Sequence, residues 1–170
     1  MTEILKYCIP ALIVLLATWI VMYKLFQNEQ QKREWELKKA AQKEISPIRL
    51  RAYERLALVL ERTQPEHLLM DLDVSQFTVP QLQQRLLQTI RLEFDHNMSQ
   101  QIYVSEQVWD KIVAARGQML AFVSAMAMQL PAESTSLDYA KTLLTAYSTN
   151  GETANEAALH ALKEEAAKLI

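Results

Sequence analysis

Apolar and polar positions divide the chain into an apolar front, a charged middle and a long amphipathic remainder. The front is the uncharged run YCIPALIVLLATWIVMY at residues 7–23, which lies between Lys6 and Lys24. A bilayer's hydrocarbon core requires about 17 to 25 helical residues, so the run is just long enough to cross it. We therefore predict one transmembrane helix within residues 1–26.

A cleaved signal peptide is the alternative interpretation of this run. The chain begins MTEILK, which is almost neutral, and the run ends in large side chains with no small-residue cleavage site. We therefore favour an uncleaved anchor. The residues expected at the membrane interfaces are basic or aromatic: Lys6, Trp19, Tyr23, Lys24 and Phe26.

The basic residues around the run predict its orientation. Lys6 precedes it, whereas six basic residues follow it closely: Lys24, Lys32, Arg33, Lys38, Lys39 and Lys43. Such a bias predicts an inner-membrane protein with its amino terminus outside and the remainder in the cytoplasm. Residues 27–46 then form a basic juxtamembrane helical stalk, which would be attracted to the anionic lipids of the inner leaflet.

The remainder, residues 47–170, has the composition of an all-α domain. The chain contains only two glycines and five prolines, and strand-like alternation is absent. We predict a bundle of about five to six helices. Residues 56–170 carry eight basic and fourteen acidic side chains, which argues against nucleic acid as a partner.

Start and stop signals divide this domain into helices. Ser46 and Pro47 are expected to end the stalk and begin a helix with a core face, and Ser105 is expected to cap a later one. The core stripes of the first two helices are spaced three to four residues apart: Ile48, Ala52, Leu56 and Val59, then Leu82, Leu86, Ile90 and Phe94. The Ala- and Glu-rich carboxyl terminus should be a weakly held helix.

A row of small residues lies in the helix that Ser105 begins. Gly117, Ala121 and Ala125 recur every four residues, beside several methionines. Such a row is either a groove for a partner or ordinary core packing. We favour core packing, because Met and Ala stripes in helices are mostly buried.

Two segments, PIRLRAYERLALVLER at 47–62 and RLLQTIRLEFDHNMSQQIYVSEQVWDKI at 85–112, carry a family resemblance. The chain resembles a family of uncharacterised bacterial proteins with one amino-terminal span and a helical cytoplasmic domain. The similarity extends from the span to about Val123. It implies the architecture, but the family has no activity or functional residues to transfer.

Residues with the chemistry of an active site are few. The single cysteine, Cys8, lies inside the apolar run. Glu93 and His96 have the spacing of a di-iron ligand pair, but the chain contains no second Glu-x-x-His. Phosphate loops and nucleophile elbows are also absent from the sequence. We expect no enzymatic activity, no metal and no cofactor.

The most unusual polar stretch is EFDHNMSQQIY at residues 93–103, just before a turn. Polar side chains cover most of the helix circumference there. One interpretation is a helix end that meets water. The other is a surface that binds a partner, formed by Asp95, His96, Asn97, Gln100, Gln101 and Tyr103.

We therefore predict a membrane-tethered helical adaptor or accessory subunit that acts by protein–protein interaction in a membrane complex. A second copy of the chain is a further candidate partner. One alternative is a stalk similar to the b subunit of rotary ATP synthases. That alternative is disfavoured because four prolines interrupt the helix such a stalk needs: Pro47, Pro65, Pro80 and Pro131. The other is an enzyme whose site is too dispersed to recognise.

Overall fold

The structure is a computed structural model that describes the backbone of residues 2–149 and 151–169. Side chains are described for residues 15, 16, 18–30, 32, 33, 35, 36, 46–149 and 151–169. The chain divides into two compact units, Met1–Ser46 and Pro47–Ile170. The buried hydrophobic core, from Tyr53 to Leu162, lies in the second unit.

Helices, turns and loops make up the described residues, which contain no strand. The six α-helices are α1 (Thr2–Arg62), α2 (Pro65–Met70), α3 (Val79–Asn97), α4 (Glu106–Met128), α5 (Ser136–Thr149) and α6 (Ala154–Ala167). Two short 3₁₀ helices, Val74–Gln76 and Met98–Tyr103, precede α3 and α4. The all-α prediction is confirmed.

The predicted transmembrane helix is wrong. In the part of the chain that the structure describes, no helix has a stretch that is both long and apolar enough to cross a membrane. The single-pass topology and the inner-membrane localisation depended on that helix and are wrong with it. Of the predicted interface residues, Trp19, Tyr23, Lys24 and Phe26 are exposed, and the side chain of Lys6 lies outside the described ones.

The predicted helix boundary at Ser46 and Pro47 is also wrong, because α1 continues to Arg62. Proline has no N–H to donate to the preceding turn, and this usually ends a helix. Here the flanking residues are mostly strong helix formers such as Glu, Lys, Ala and Arg, and the Pro47 side chain is exposed. The helix ends instead at Arg62, and the hydroxyl of the next residue, Thr63, donates to the Val59 carbonyl at 2.7 Å.

The core of the second unit lies between the end of α1 and helices α3 to α6. Its largest fully buried side chains come from every one of these helices: Leu56, Leu60, Leu82, Leu86, Ile90, Ile112, Val123, Tyr139, Leu143 and Leu162. The predicted stripe of α3 is confirmed, since all four of its members are buried. Ile48 departs from the predicted stripe of α1 and is 50% exposed.

Side-chain caps begin several of the helices. Thr78 and Thr153 each form a reciprocal capping box, at the start of α3 and α6 respectively. Ser105 caps α4, as predicted, by accepting a hydrogen bond from the Val108 N–H at 3.3 Å. Each cap satisfies backbone donors that the first helical turn leaves unpaired, so the loops between helices end at defined residues.

The carboxyl-terminal helix α6 packs against the core through small and polar side chains. Ala158 and Ala161 are buried and allow α6 to approach α4 closely. Asn155 is also buried, and its Nδ2 donates to the Leu60 carbonyl at 2.7 Å and to Thr63 Oγ1 at 3.2 Å. The weakly held helix stays a prediction.

The small-residue row of α4 does not pack into the core. Gly117, Ala121 and Ala125 are all exposed, while Met119 and Val123 on the opposite face are buried. The favoured interpretation of ordinary core packing is wrong for these three residues. Their face of α4 meets solvent because α3, α5 and α6 cover the other faces.

Candidate interaction surface

The predicted polar surface at residues 93–103 spans a change of helix type. Residues 93–97 form the last turn of α3, and Met98–Tyr103 form a 3₁₀ helix that leads to the cap of α4. A 3₁₀ helix is tighter than an α-helix and has poorer hydrogen-bond geometry, so it is used in short pieces. Here it reverses the chain between two antiparallel neighbours, α3 and α4.

Asp95 serves the contact between α3 and α4. Its Oδ1 accepts a hydrogen bond of 3.0 Å from Nη2 of Arg116 on α4. The Arg116 guanidinium also lies over the ring of Phe94, with its carbon 5.9 Å from the ring centroid. Asp95 is thus already paired within the protein, which reduces its capacity to bind a partner.

Three other predicted surface residues also make contacts within the domain. Asn97 Nδ2 donates to the Glu93 carbonyl at 2.9 Å, and Gln100 Nε2 donates to Ser99 Oγ at 3.2 Å. The carbonyl of Tyr103 accepts from Arg49 Nε at 3.0 Å, and its side chain is half-buried. The remaining two, His96 and Gln101, are exposed.

Two exposed apolar side chains lie among these polar residues and were missed by sequence reasoning. Ile102 is 73% exposed and Met98 is 41% exposed. Ile48, which is next to Arg49 in α1, is exposed as well, and Arg49 contacts the backbone of Tyr103 next to Ile102. An isoleucine within a run of polar residues was the available signal.

We call Met98, Gln100, Gln101 and Ile102, together with His96, the 96–102 surface.

A polar cluster, formed by Arg49, Tyr53, Ser105 and Glu165, holds the end of this surface. Arg49 Nη2 donates to the Tyr53 hydroxyl at 2.7 Å, and that hydroxyl donates to Glu165 Oε1 at 2.8 Å. Glu165 Oε1 also accepts from the Ser105 N–H at 2.9 Å, and its Oε2 accepts from the Ser105 hydroxyl. One carboxylate therefore joins α1, the cap of α4 and the last turn of α6.

The ionisation of this cluster follows from its contacts. Burial opposes the charged form of Glu165, but hydrogen bonds from Ser105 and Tyr53 and the charge of Arg49 outweigh it and lower its pKa. Burial and the neighbouring Glu165 raise the pKa of Tyr53. Near neutral pH the carboxylate accepts and the phenol donates, and their hydrogen bonds position the segment just after the 96–102 surface.

The 96–102 surface combines exposed apolar side chains with polar amides. Within the described residues, no group of three His, Cys, Asp or Glu side chains is placed to hold a metal ion. Glu93 and His96 are therefore not joined by a third described ligand. In this segment the exposed apolar side chain of Ile102 follows the amide side chains of Gln100 and Gln101.

The comparison with protein families assigns the chain. Residues 1–169 match a family described as a family of unknown function (DUF7935). The chain belongs to this family. The expected membership in an uncharacterised family is confirmed. No curated protein and no solved structure matches the chain. The DUF7935 match includes the 96–102 surface and the four residues of the polar cluster.

Proposed function

We propose that this protein is a helical adaptor or accessory subunit, which binds a partner protein through the 96–102 surface. The observation that carries the proposal is the exposure of Ile102, at 73%, on a segment whose backbone is tied to Arg49. Adaptors need such a surface and need no reactive group.

The energetics of association favour this surface over the wholly charged parts of the domain. Full burial of an isoleucine side chain contributes about 1.5–3 kcal/mol. Interfaces typically have an apolar centre and a polar rim that supplies hydrogen bonds. Ile102 and Met98 provide the centre, and the amides of Gln100 and Gln101 provide the rim.

Pre-organisation adds to the argument. A loop that must be ordered on binding loses conformational entropy, and this weakens association. Here the 3₁₀ helix is held on one side by Arg49 and is followed by Ser105, which is fixed by Glu165. Ile102 is therefore presented on a segment that is already ordered.

Site-specific crosslinking in intact cells tests the proposal. A photoreactive phenylalanine derivative placed at Gln101 of the full chain should form a discrete crosslinked product, whose partner is identified by mass spectrometry. Ile102→Asp should abolish that product, because it places a charge at the centre of the interface. Leu137→Asp is the matched control, since Leu137 is an aliphatic residue of α5 with 52% exposure. Equal crosslinking in Ile102→Asp and the unmodified chain, or the absence of a discrete product, would exclude this surface.

Substitutions at Ile102 are preferable to changes at Asp95 or Asn97. Both polar residues make hydrogen bonds within the domain, so their loss would change folding together with binding. The enzyme alternative, the stalk alternative and the bacterial origin implied by the resemblance stay predictions.

A further inference from the structure

A second feature of the domain, separate from the 96–102 surface, is a groove between α4, the end of α5 and the start of α6. Its volume is about 340 Å³, which is within the range of small-molecule sites. The buried Ala115 and Met119 form its apolar floor. The exposed Gln118 and Glu152 lie at its rim.

Two aromatic side chains, Phe122 and Tyr147, line the groove. Their ring centroids are 5.9 Å apart and the ring planes meet at 61°. The Tyr147 hydroxyl is 3.2 Å from Thr153 Oγ1, which fixes the position of its ring. Both rings are half-buried, so part of each remains accessible from the groove. The face of an aromatic ring is electronegative and attracts cations.

The charges around the groove have one sign. Glu152 lines it, and none of its described lining residues is basic. Burial raises the pKa of Tyr147, the hydrogen bond with Thr153 lowers it, and the negative charges of Glu156 and Glu66 raise it further. Glu156 also accepts a hydrogen bond of 2.7 Å from the Thr153 N–H, and its carboxylate offsets the positive end of α6.

We propose that this groove binds an organic ammonium group, which packs against the rings of Phe122 and Tyr147 and is attracted by the carboxylate of Glu152. A quaternary or alkyl ammonium ion has the apolar surface that the floor requires and the charge that the rings and the carboxylate favour. Such a group is carried by small molecules and by lysine side chains. The shared chemistry is a cation with alkyl substituents.

Titration of the full chain with matched probes tests this assignment. Choline is compared with 3,3-dimethyl-1-butanol, its neutral isostere of nearly the same shape, by calorimetry and by the ring-proton shifts of Phe122 and Tyr147. Choline should bind about 4- to 25-fold more tightly, because an exposed cation–π contact and the nearby carboxylate each contribute about 2- to 5-fold. Equal affinity of the two probes, or no shift of either ring, would overturn the proposal. Nα-acetyl-lysine amide is the third probe, and its affinity relative to choline distinguishes a lysine side chain from a free quaternary cation.

Two variants separate the contributions of charge and ring. Glu152→Gln keeps the shape of an exposed side chain and should weaken choline binding about 2- to 5-fold, while binding of the neutral isostere stays unchanged. Glu133→Gln is the control, because Glu133 is an exposed carboxylate that does not line the groove. Phe122→Leu should weaken choline selectively. Should this variant unfold, Glu152→Gln still decides, since unchanged choline affinity in it contradicts the assigned role of the carboxylate.

Discussion

The hydroxyl of Tyr53 donates a hydrogen bond of 2.8 Å to Oε1 of Glu165, a residue 112 positions further along the chain. Tyr53 lies in the core-facing part of α1, and Glu165 lies in the last turn of α6. The same carboxylate accepts from both the backbone and the hydroxyl of Ser105, which caps α4. The contact therefore joins three helices next to the proposed interaction surface.

Replacement of Glu165 by Gln should destabilise the domain. The neutral amide is a weaker acceptor for Tyr53 and Ser105, and its NH₂ group would face donors. We expect a loss of about 1–3 kcal/mol in the free energy of unfolding, measured by urea denaturation. Glu164→Gln is the matched control, because Glu164 is exposed and its Oε1 lies 3.7 Å from Nδ1 of the exposed His160. Similar losses in the two variants would contradict a specific role for Glu165.

The same contact predicts a pH dependence of stability. Hydrogen bonds and Arg49 hold the pKa of Glu165 below its ordinary value of 4.5 in the folded protein. Between the two pKa values the unfolded chain binds more protons, so the free energy of unfolding rises with pH in that window. The stabilisation by Glu165 is thus present above about pH 4.5 and is lost as the pH falls through the folded pKa.

Unfolding measured from pH 3 to 6 tests this dependence. Glu165→Gln should show a shallower rise in stability with pH than the unmodified chain. Hydrogen bonds also lower the pKa values of Asp73 and Asp138, so part of the rise will remain in the variant. Curves that are parallel over the whole range would show that Glu165 does not contribute to the pH dependence.

Asn155 should be among the least replaceable polar residues of the domain. Its side chain is 2% exposed and donates to the Leu60 carbonyl and to Thr63. Asn155→Ala leaves a cavity and an acceptor without its donor, and we expect a loss of about 1–3 kcal/mol in the free energy of unfolding. Gln88→Ala, on the exposed side of α3, should change it by less than about 0.5 kcal/mol. An equal, small effect of both substitutions would mean that the buried amide is not important for stability.

The parts of this fold that could be predicted from the sequence are the local ones. The stripe from Leu82 to Phe94 and the cap at Ser105 depend on residues three or four positions apart, and both are confirmed. The predicted break at Pro47 does not occur, because the strong helix formers on both sides keep α1 continuous despite the single proline. The hydrogen bonds of α6 could not be predicted for another reason. Asn155 and Glu165 bond to residues about a hundred positions away, and sequence periodicity contains no information on such distant contacts.

The candidate surface was predicted from polarity, and packing changes which of its residues are available. Asp95 and Asn97 are engaged within the domain, whereas Ile102 is exposed. An isolated isoleucine next to a turn is as compatible with a buried core position as with an exposed one. The exposure of Ile102 could therefore not be predicted. Similarly, the row of Gly117, Ala121 and Ala125 could not be assigned to a face until the neighbours of α4 were known.

Gly117 provides a further test of that assignment. It lies inside α4, its side of the helix is exposed, and an added Cβ would have no atom within 4 Å. Glycine destabilises a helix interior relative to alanine because it loses more backbone entropy on folding. Gly117→Ala should therefore raise the free energy of unfolding by about 0.5–1 kcal/mol, measured by urea denaturation. Ala121→Gly, one turn further along the same exposed face, should lower it by a similar amount. A destabilised Gly117→Ala would contradict the assignment of this face of α4 to solvent.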